Sequence, residues 1–501
     1  MKYIPQNLPI RFLLILGASF LVWVATCAAD VSETRTALQQ LSSKVKMTTL
    51  SNGLRVILYR RGVAPVFSGT VSVRVGGTDE AEGATGISHM FEHMAFKGTR
   101  TLGTKDYPKE KKLLEELEVY EGKRSRGEVL AKEEIQRLVN VQAELEKVWV
   151  TGEFAKQYDE RGGSGMNATT DTELTRYFVE LPRTAFEFWC AIESDRLLNP
   201  VMRQFYKERD IVMEERRMRV DDDPQGKLYE LLLGMAYRQH PYRNPVIEYS
   251  DDIKRLTAAQ TDAFRRKYYV PGNMVVSIVG DVDVEKDLPV IERYFGKIPP
   301  GGQVPRPRVV EPKQEGERRF TLEDKASQHL AIVYRKPNYP DPDDPPLTLL
   351  AQILAGSKIS PLYTELVKRS QKVVDISYGE DPGSAYPNLL SFSLVPRSPH
   401  TNEEVLAAFD GVIKKFLRTK VTEETLTIAK RSMAVDYLGH MKSNSSLALD
   451  FASSELFYGS WRALIEWYEK AMIVTTDDIM RVGAKYLAQN NRTIGMIESK
   501  R

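Results

Sequence analysis

Two imidazoles and a carboxylate fall close together at His89, Glu92 and His93, in the order H-x-x-E-H within Gly86-Ile-Ser-His-Met-Phe-Glu-His-Met-Ala-Phe-Lys-Gly98. At 3.6 residues per turn, His93 lies about 40° round a helix from His89, and Glu92 about 60° the other way. All three side chains then leave one helix face within an arc of roughly 100°. Two neutral imidazoles at i, i+4 can grip one zinc ion, and a carboxylate beside them can reach its water. The order reverses the H-E-x-x-H of helix-borne zinc motifs. The plainer reading is an amphipathic helix whose polar groups are satisfied locally. A working site requires a third ligand and a place for water.

The third ligand has to come from elsewhere. Glu208 and Glu215 lie seven residues apart in Lys207-Glu-Arg-Asp-Ile-Val-Met-Glu-Glu-Arg216, two turns along one helix face. Glu214 points roughly 100° away from them, and Glu193 belongs to a preceding helix. Periodicity alone leaves Glu208 and Glu215 equally placed.

These residues need a scaffold. Lys46–Leu50 and Leu54–Tyr59 alternate about Asn52-Gly53, a hairpin signal. Val71–Val75 continues the sheet before Thr85-Gly86 leads into the histidine helix. Leu174–Val179 reads as a strand, two helices follow at about 184–198 and 202–219, and Met274–Val279 reads as a buried strand. Between about 105 and 150, Leu113, Leu117 and Tyr120, then Ile135, Leu138, Val141 and Leu145, recur at helical spacing among Lys, Glu and Arg. That pattern predicts a charged helical hairpin inserted in the first unit and standing off it in solvent. The glycines at 162–165 lack the Lys-Ser/Thr of a phosphate loop.

A second half repeats the first. Shifting by 218 residues lays Lys267-Tyr268 on Lys485-Tyr486, Asn273 on Asn491, and Val276, Ile278 and Val279 on Ile494, Met496 and Ile497. The expected organisation is a metal-bearing unit at 46–297, a Pro/Gly-rich linker at 298–320, and a homologous unit at 321–501 without H-x-x-E-H. Residues 1–29 read as a secretory leader, with Lys2 and Arg11, an apolar run and Ala28-Ala29. That points to export into a bacterial periplasm. Lipid attachment at Cys27 is the lesser alternative, since Val-Ala-Thr is a poor context for it. The formal charge of +2 falls near zero once the leader is removed, which argues against nucleic acid and anionic membrane partners. Cys190 then remains alone in an apolar run and reads as a small buried hydrophobe.

The segment around His89 and His93 resembles the metal helix of the pitrilysin/insulinase family, particularly its mitochondrial-processing-peptidase branch. Asn167-Ala168-Thr169 before Thr175 and Tyr177, Glu208-Arg209 with Glu215, and Tyr268-Tyr-Val-Pro-Gly-Asn273 before Gly280-Asp281 match it in order. The resemblance implies an α+β fold of two similar units, each an antiparallel sheet backed by helices, forming half of a clamshell. It implies one zinc ion held by His89, His93 and Glu215, with Glu92 as general base and Glu208 supporting the site. Asn167, Ala168 and Thr169 would line a peptide laid along a strand edge. The stretch from His93 to Glu215 is longer than is usual in the family, and the hairpin accounts for the excess. Single-chain relatives place an Arg and a Tyr in their second half; here Val367 and Val374 fall at those places, with Arg369 and Tyr378 out of register. The expectation is a zinc endopeptidase acting on unstructured peptides, the catalytic subunit of a hetero-oligomer whose partner supplies that pair. A homodimer is the alternative assembly, and a non-catalytic assembly or chaperone-like subunit the alternative function.

Overall fold

The computed structural model describes residues 33–247 and 249–500. The leader and Cys27 lie outside the described residues. Strands β1 (Val45–Thr49), β2 (Arg55–Arg60), β3 (Val66–Val73), β4 (Ser164–Thr170), β5 (Thr175–Pro182) and β6 (Met274–Gly280) form one sheet in the order β1-β2-β6-β3-β5-β4. Strands β7 (Arg318–Asp324), β8 (His329–Lys336), β9 (Val373–Asp381), β10 (Asn388–Pro396) and β11 (Arg492–Ser499) form a second, ordered β7-β11-β8-β10-β9. Apart from β1, the two orders are the same. β6 begins at Met274 and β11 at Arg492, which reproduces the 218-residue offset. Each sheet is antiparallel except for one parallel pair, β2 with β6 and β7 with β11.

Local chemistry explains the first strands. Gly53 takes a φ of +90°, as the turn requires, and Asn52 gives its amide to the carbonyls of Phe295 and Ile298 at 2.9 Å each. β6 is buried throughout and apolar but for Ser277, as suits a central strand. Its alternation sends Val276 and Ile278 into the core shared with the histidine helix, and Val275 and Val279 to the opposite face.

That opposite face is covered by the other half of the chain. Helix Asn444–Tyr458, from the second half, places Leu447, Ala448, Phe451 and Ala452 against Ile57, Val275 and Val279 of the first sheet. Helix Pro224–Ala236, from the first half, returns the favour: Leu228 and Leu232 pack on Ala331, Val333 and Ile497 of the second. Polar contacts fix both seats. Arg55 Nη1 donates to Glu455 Oε1 at 2.9 Å, and Lys227 Nζ to Asp324 Oδ2 at 3.2 Å. The two halves are therefore interlocked by an exchange of helices.

The hairpin differs from its expected placement. It consists of helices Tyr107–Ser125 and Lys132–Val148, but it does not stand off in solvent. Leu113, Leu117, Leu138, Val141 and Leu145 enter the main core of the first half. The helical spacing located one apolar face on each arm, and that face turns inward onto the domain as well as onto the other arm. Cys190 is buried without a disulfide partner, and burial raises its thiol pKa, as suits a core hydrophobe. Among the described residues, no helix is long and apolar enough to cross a membrane.

Phe451 is fully buried, with its ring 5.5 Å from that of Trp461 and 6.2 Å from that of Tyr59. Phe451→Ala is expected to cost about 3–5 kcal/mol through the lost transfer energy and the cavity left behind. Because this helix joins both halves, urea unfolding of the variant should remain a single transition at a lower midpoint. Two separated transitions would contradict the interlock.

Candidate functional site

The histidines ride on helix Ile87–Met94, which begins after Gly86 at a φ of +93°. Its start is held by Glu80, which accepts from the amides of Gly86 and Ser88 at 2.8 Å each. A carboxylate there satisfies two free N–H groups and complements the helix dipole. Ile87, Met90, Phe91 and Met94 bury one face, and the Phe91 ring meets Tyr269 edge-on at 4.6 Å. The remaining arc carries His89, Glu92 and His93, as the spacing requires.

The two glutamates come from helix Phe205–Arg216, seated in the core by Phe205 and Val212. This helix is shorter than its expected span and runs into a π-helical turn, Arg217–Asp221. The arrangement separates the roles of the glutamates, which sequence periodicity left open. Glu215 Oε2 lies 3.8 Å from His89 Nε2 and 3.6 Å from His93 Nε2, and the two Nε2 atoms are 3.2 Å apart. Glu208 instead accepts from His93 Nδ1 at 3.0 Å and pairs with Lys97 through its other oxygen. A tetrahedral zinc with ligands at about 2.0–2.1 Å sets its ligand atoms roughly 3.4 Å apart. The His89, His93 and Glu215 triangle brackets that edge, and it is the one such grouping among the described residues.

Protonation states suit the same use. Burial pushes His89 down to about 3, with the charges of His93 and Arg219 adding to the effect, so its lone pair is free at neutral pH. Burial works to raise Glu208, but the hydrogen bonds from His93 and Lys97 prevail and hold it below the ordinary carboxyl range. It thereby stays an acceptor and fixes His93 as the tautomer that offers Nε2. Burial raises Glu92 despite the Thr170 hydroxyl and the charge of His93, and the negative charge of Glu215 adds to the rise.

β4 closes one side of the site. It pairs with β5 alone and ends the sheet, leaving its other edge open. Asn167 is exposed and turns its side chain onto the amide of Ala168, at 2.9 Å; Ala168 is buried and Thr169 half-buried. Three contributors escaped sequence reasoning: Thr170 beside Glu92, Lys97 on Glu208, and Arg219, whose Nη1 holds Glu215 Oε1 at 2.9 Å. Arg219 follows Glu215 by four, so i, i+4 charge spacing was the available signal there, whereas Lys97 pairs with Glu208 across the fold and left no local signal. Val367 sits half-buried on a π-helical turn, Tyr363–Arg369, and Val374 half-exposed on the edge strand β9. Arg369 pairs with Glu365 at 3.6 Å, and the Tyr378 hydroxyl donates to Gln352.

Known proteins fit this frame. The family described as "Insulinase (Peptidase family M16)" matches residues 55–125 and 147–249, leaving out the outer hairpin arm, and "Peptidase M16 inactive domain" matches 255–433. The zinc protease PqqE of Helicobacter pylori is 26% identical over 91% of this chain and 93% of its own. A protease structure from Helicobacter pylori superposes with a TM-score of 0.77 at 24% identity, covering 91% of this chain and 99% of that one. The periplasmic protease PqqL of Escherichia coli superposes with a TM-score of 0.68 at 17% identity, covering 91% of this chain but 48% of that one. With two family domains matched in order across most of its length, the chain belongs to the insulinase family of peptidases, M16.

Proposed function

We propose that this chain is a zinc-dependent endopeptidase of unstructured peptides, with the metal held by His89, His93 and Glu215. The observation that carries the reading is the convergence of His89 Nε2, His93 Nε2 and Glu215 Oε2, with Glu92 on the same helix face. When bound, zinc supplies Lewis acidity toward a peptide carbonyl and lowers the pKa of its water toward about 7. Glu92 is placed to take a proton from the attacking water and would pass it to the leaving amine. Its burial raises its pKa, which makes the carboxylate a better proton acceptor than an exposed one. Glu208 and Lys97 keep the His93 ring aimed, and Arg219 leaves Glu215 one oxygen to offer.

The substrate lies as an added strand on the open edge of β4, near Asn167, Ala168 and Thr169, bound chiefly through its backbone. Neither Val367 nor Val374 can donate a hydrogen bond to an oxyanion. A sister chain supplying an Arg and a Tyr completes the enzyme, and the leader sends the protein to a periplasm. The length of the Escherichia coli relative, about twice the portion matched, supports a partner of this kind. A purely non-catalytic subunit has no use for a buried general base beside three converging ligands, and Glu92 argues against that reading.

Glu92→Gln should retain one zinc per chain while turnover of a quenched, unstructured peptide falls by about 10²–10⁴-fold. Parallel zinc analysis and kinetics check this, and near-normal turnover would refute the assigned base. Glu208→Gln should weaken zinc binding by about 10–100-fold in chelator competition while the fold is kept. Residues 30–501 purified alone should carry zinc and cleave poorly until the sister chain is added. Full activity of the isolated chain would show that no partner donors are needed.

A further inference from the structure

The hairpin does more than fill space. Its first arm, Tyr107–Ser125, is tied by side chains to the helix that carries Glu208 and Glu215, and a single side chain locks its root. Arg203 precedes that helix, with a guanidinium only 2% exposed. All five of its N–H groups have acceptors. Nε and one Nη2 hydrogen grip both oxygens of Glu110, the latter at 2.8 Å. The other Nη2 hydrogen goes to the Thr99 carbonyl at 3.0 Å. The Nη1 pair goes to the carbonyls of Lys97 at 2.6 Å and Leu102 at 3.0 Å.

The arginine and its acceptors join three different parts of the site's support. Residues 97–102 are the chain leaving the histidine helix. Glu110 is fully buried in the first arm and also accepts from the Trp149 indole at 2.8 Å, which closes the neck of the hairpin. Arg203 leads directly into the glutamate helix. The cradle is shaped for the guanidinium: Gly98 and Gly103 sit at φ of +95° and +87°, and a Cβ on Gly103 would come within 2.5 Å of Arg203 Nη1. Lys97 closes the circuit, since Arg203 holds its carbonyl while its ammonium pairs with Glu208, the partner of His93.

Further contacts continue along the same arm. The Tyr206 hydroxyl donates to Glu118 Oε2 at 2.5 Å, and Arg209 Nη1 to Ser125 Oγ at 3.1 Å. Residues 203, 206 and 209 are thus tied in succession to the first arm.

We propose that the hairpin is a brace setting the spacing between the histidine and glutamate helices, with Arg203 the positioning residue at its joint. This rests on the metal reading above and adds the element that keeps ligands from two helices in register. Lysine at 203 keeps the charge but offers three donors on a compact head, so it cannot serve all of these acceptors at once.

Cobalt(II) titration of residues 30–501, following the visible bands of a tetrahedral site, tests the proposal. Arg203→Lys should weaken cobalt binding by about tenfold or more and shift the bands, as changes behind a metal ligand do. Tyr206→Phe removes only a hydroxyl and should weaken it by a smaller factor. Phe451→Ala serves as a control for stability alone: its melting temperature should fall while its cobalt affinity stays that of the unsubstituted chain. If Arg203→Lys does not fold, Tyr206→Phe decides the matter. Folded variants with unchanged cobalt affinity and spectrum would overturn the brace alone. An unsubstituted chain that takes no cobalt would sink the metal reading, and the brace with it.

Discussion

His89 Nε2 and His93 Nε2 lie 3.2 Å apart, with Glu215 Oε2 at 3.8 Å and 3.6 Å from them, so three groups able to hold a metal crowd into one place. Burial keeps His89 from taking a second proton, so both rings serve as neutral imidazoles only if their orientations are fixed from outside. The surrounding structure has to hold the groups there. Glu80 holds the start of the histidine helix, Glu208 the far nitrogen of His93, and Arg219 the spare oxygen of Glu215. Each is an ion pair or charge-assisted bond close to the site, where a weakened dielectric strengthens it.

Much of this was legible in the sequence because spacing on one helix is nearly geometry. His89, Glu92 and His93 had to share an arc once a helix formed. Asn52-Gly53 announced a hairpin, and the 218-residue offset announced a second sheet of the same order. Choosing between Glu208 and Glu215 was another matter, since the two occupy equivalent places on their helix. Their distinction arises from how that helix lies against the other, which local periodicity does not contain; family resemblance supplied the ordering, and the structure gives its physical reason.

What stayed hidden depended on long-range partners. Leu113, Leu117, Leu138, Val141 and Leu145 declared an apolar face but not what it would meet, and the surrounding charges suggested solvent. Arg203 is one arginine among many in the sequence, and its importance comes from acceptors about a hundred positions upstream. The parallel pairing of β2 with β6 likewise joins segments separated by two hundred residues. Helix Asn444–Tyr458 gave no sign that its apolar residues belong to the first sheet, because either sheet would accept them equally well.

The exchange of helices carries a consequence for how the protein can be divided. Neither half, cut at the linker, would keep its own cover: the first sheet would present Ile57, Val275 and Val279 bare, and the second Ala331 and Val333. Two separate copies of one such unit could satisfy both faces only by swapping arms, at a cost set by their concentration. Joining the copies in a single chain replaces that bimolecular search with a local effective concentration that dilution cannot alter. Within one chain, each half is thus indispensable as the cover of the other's sheet.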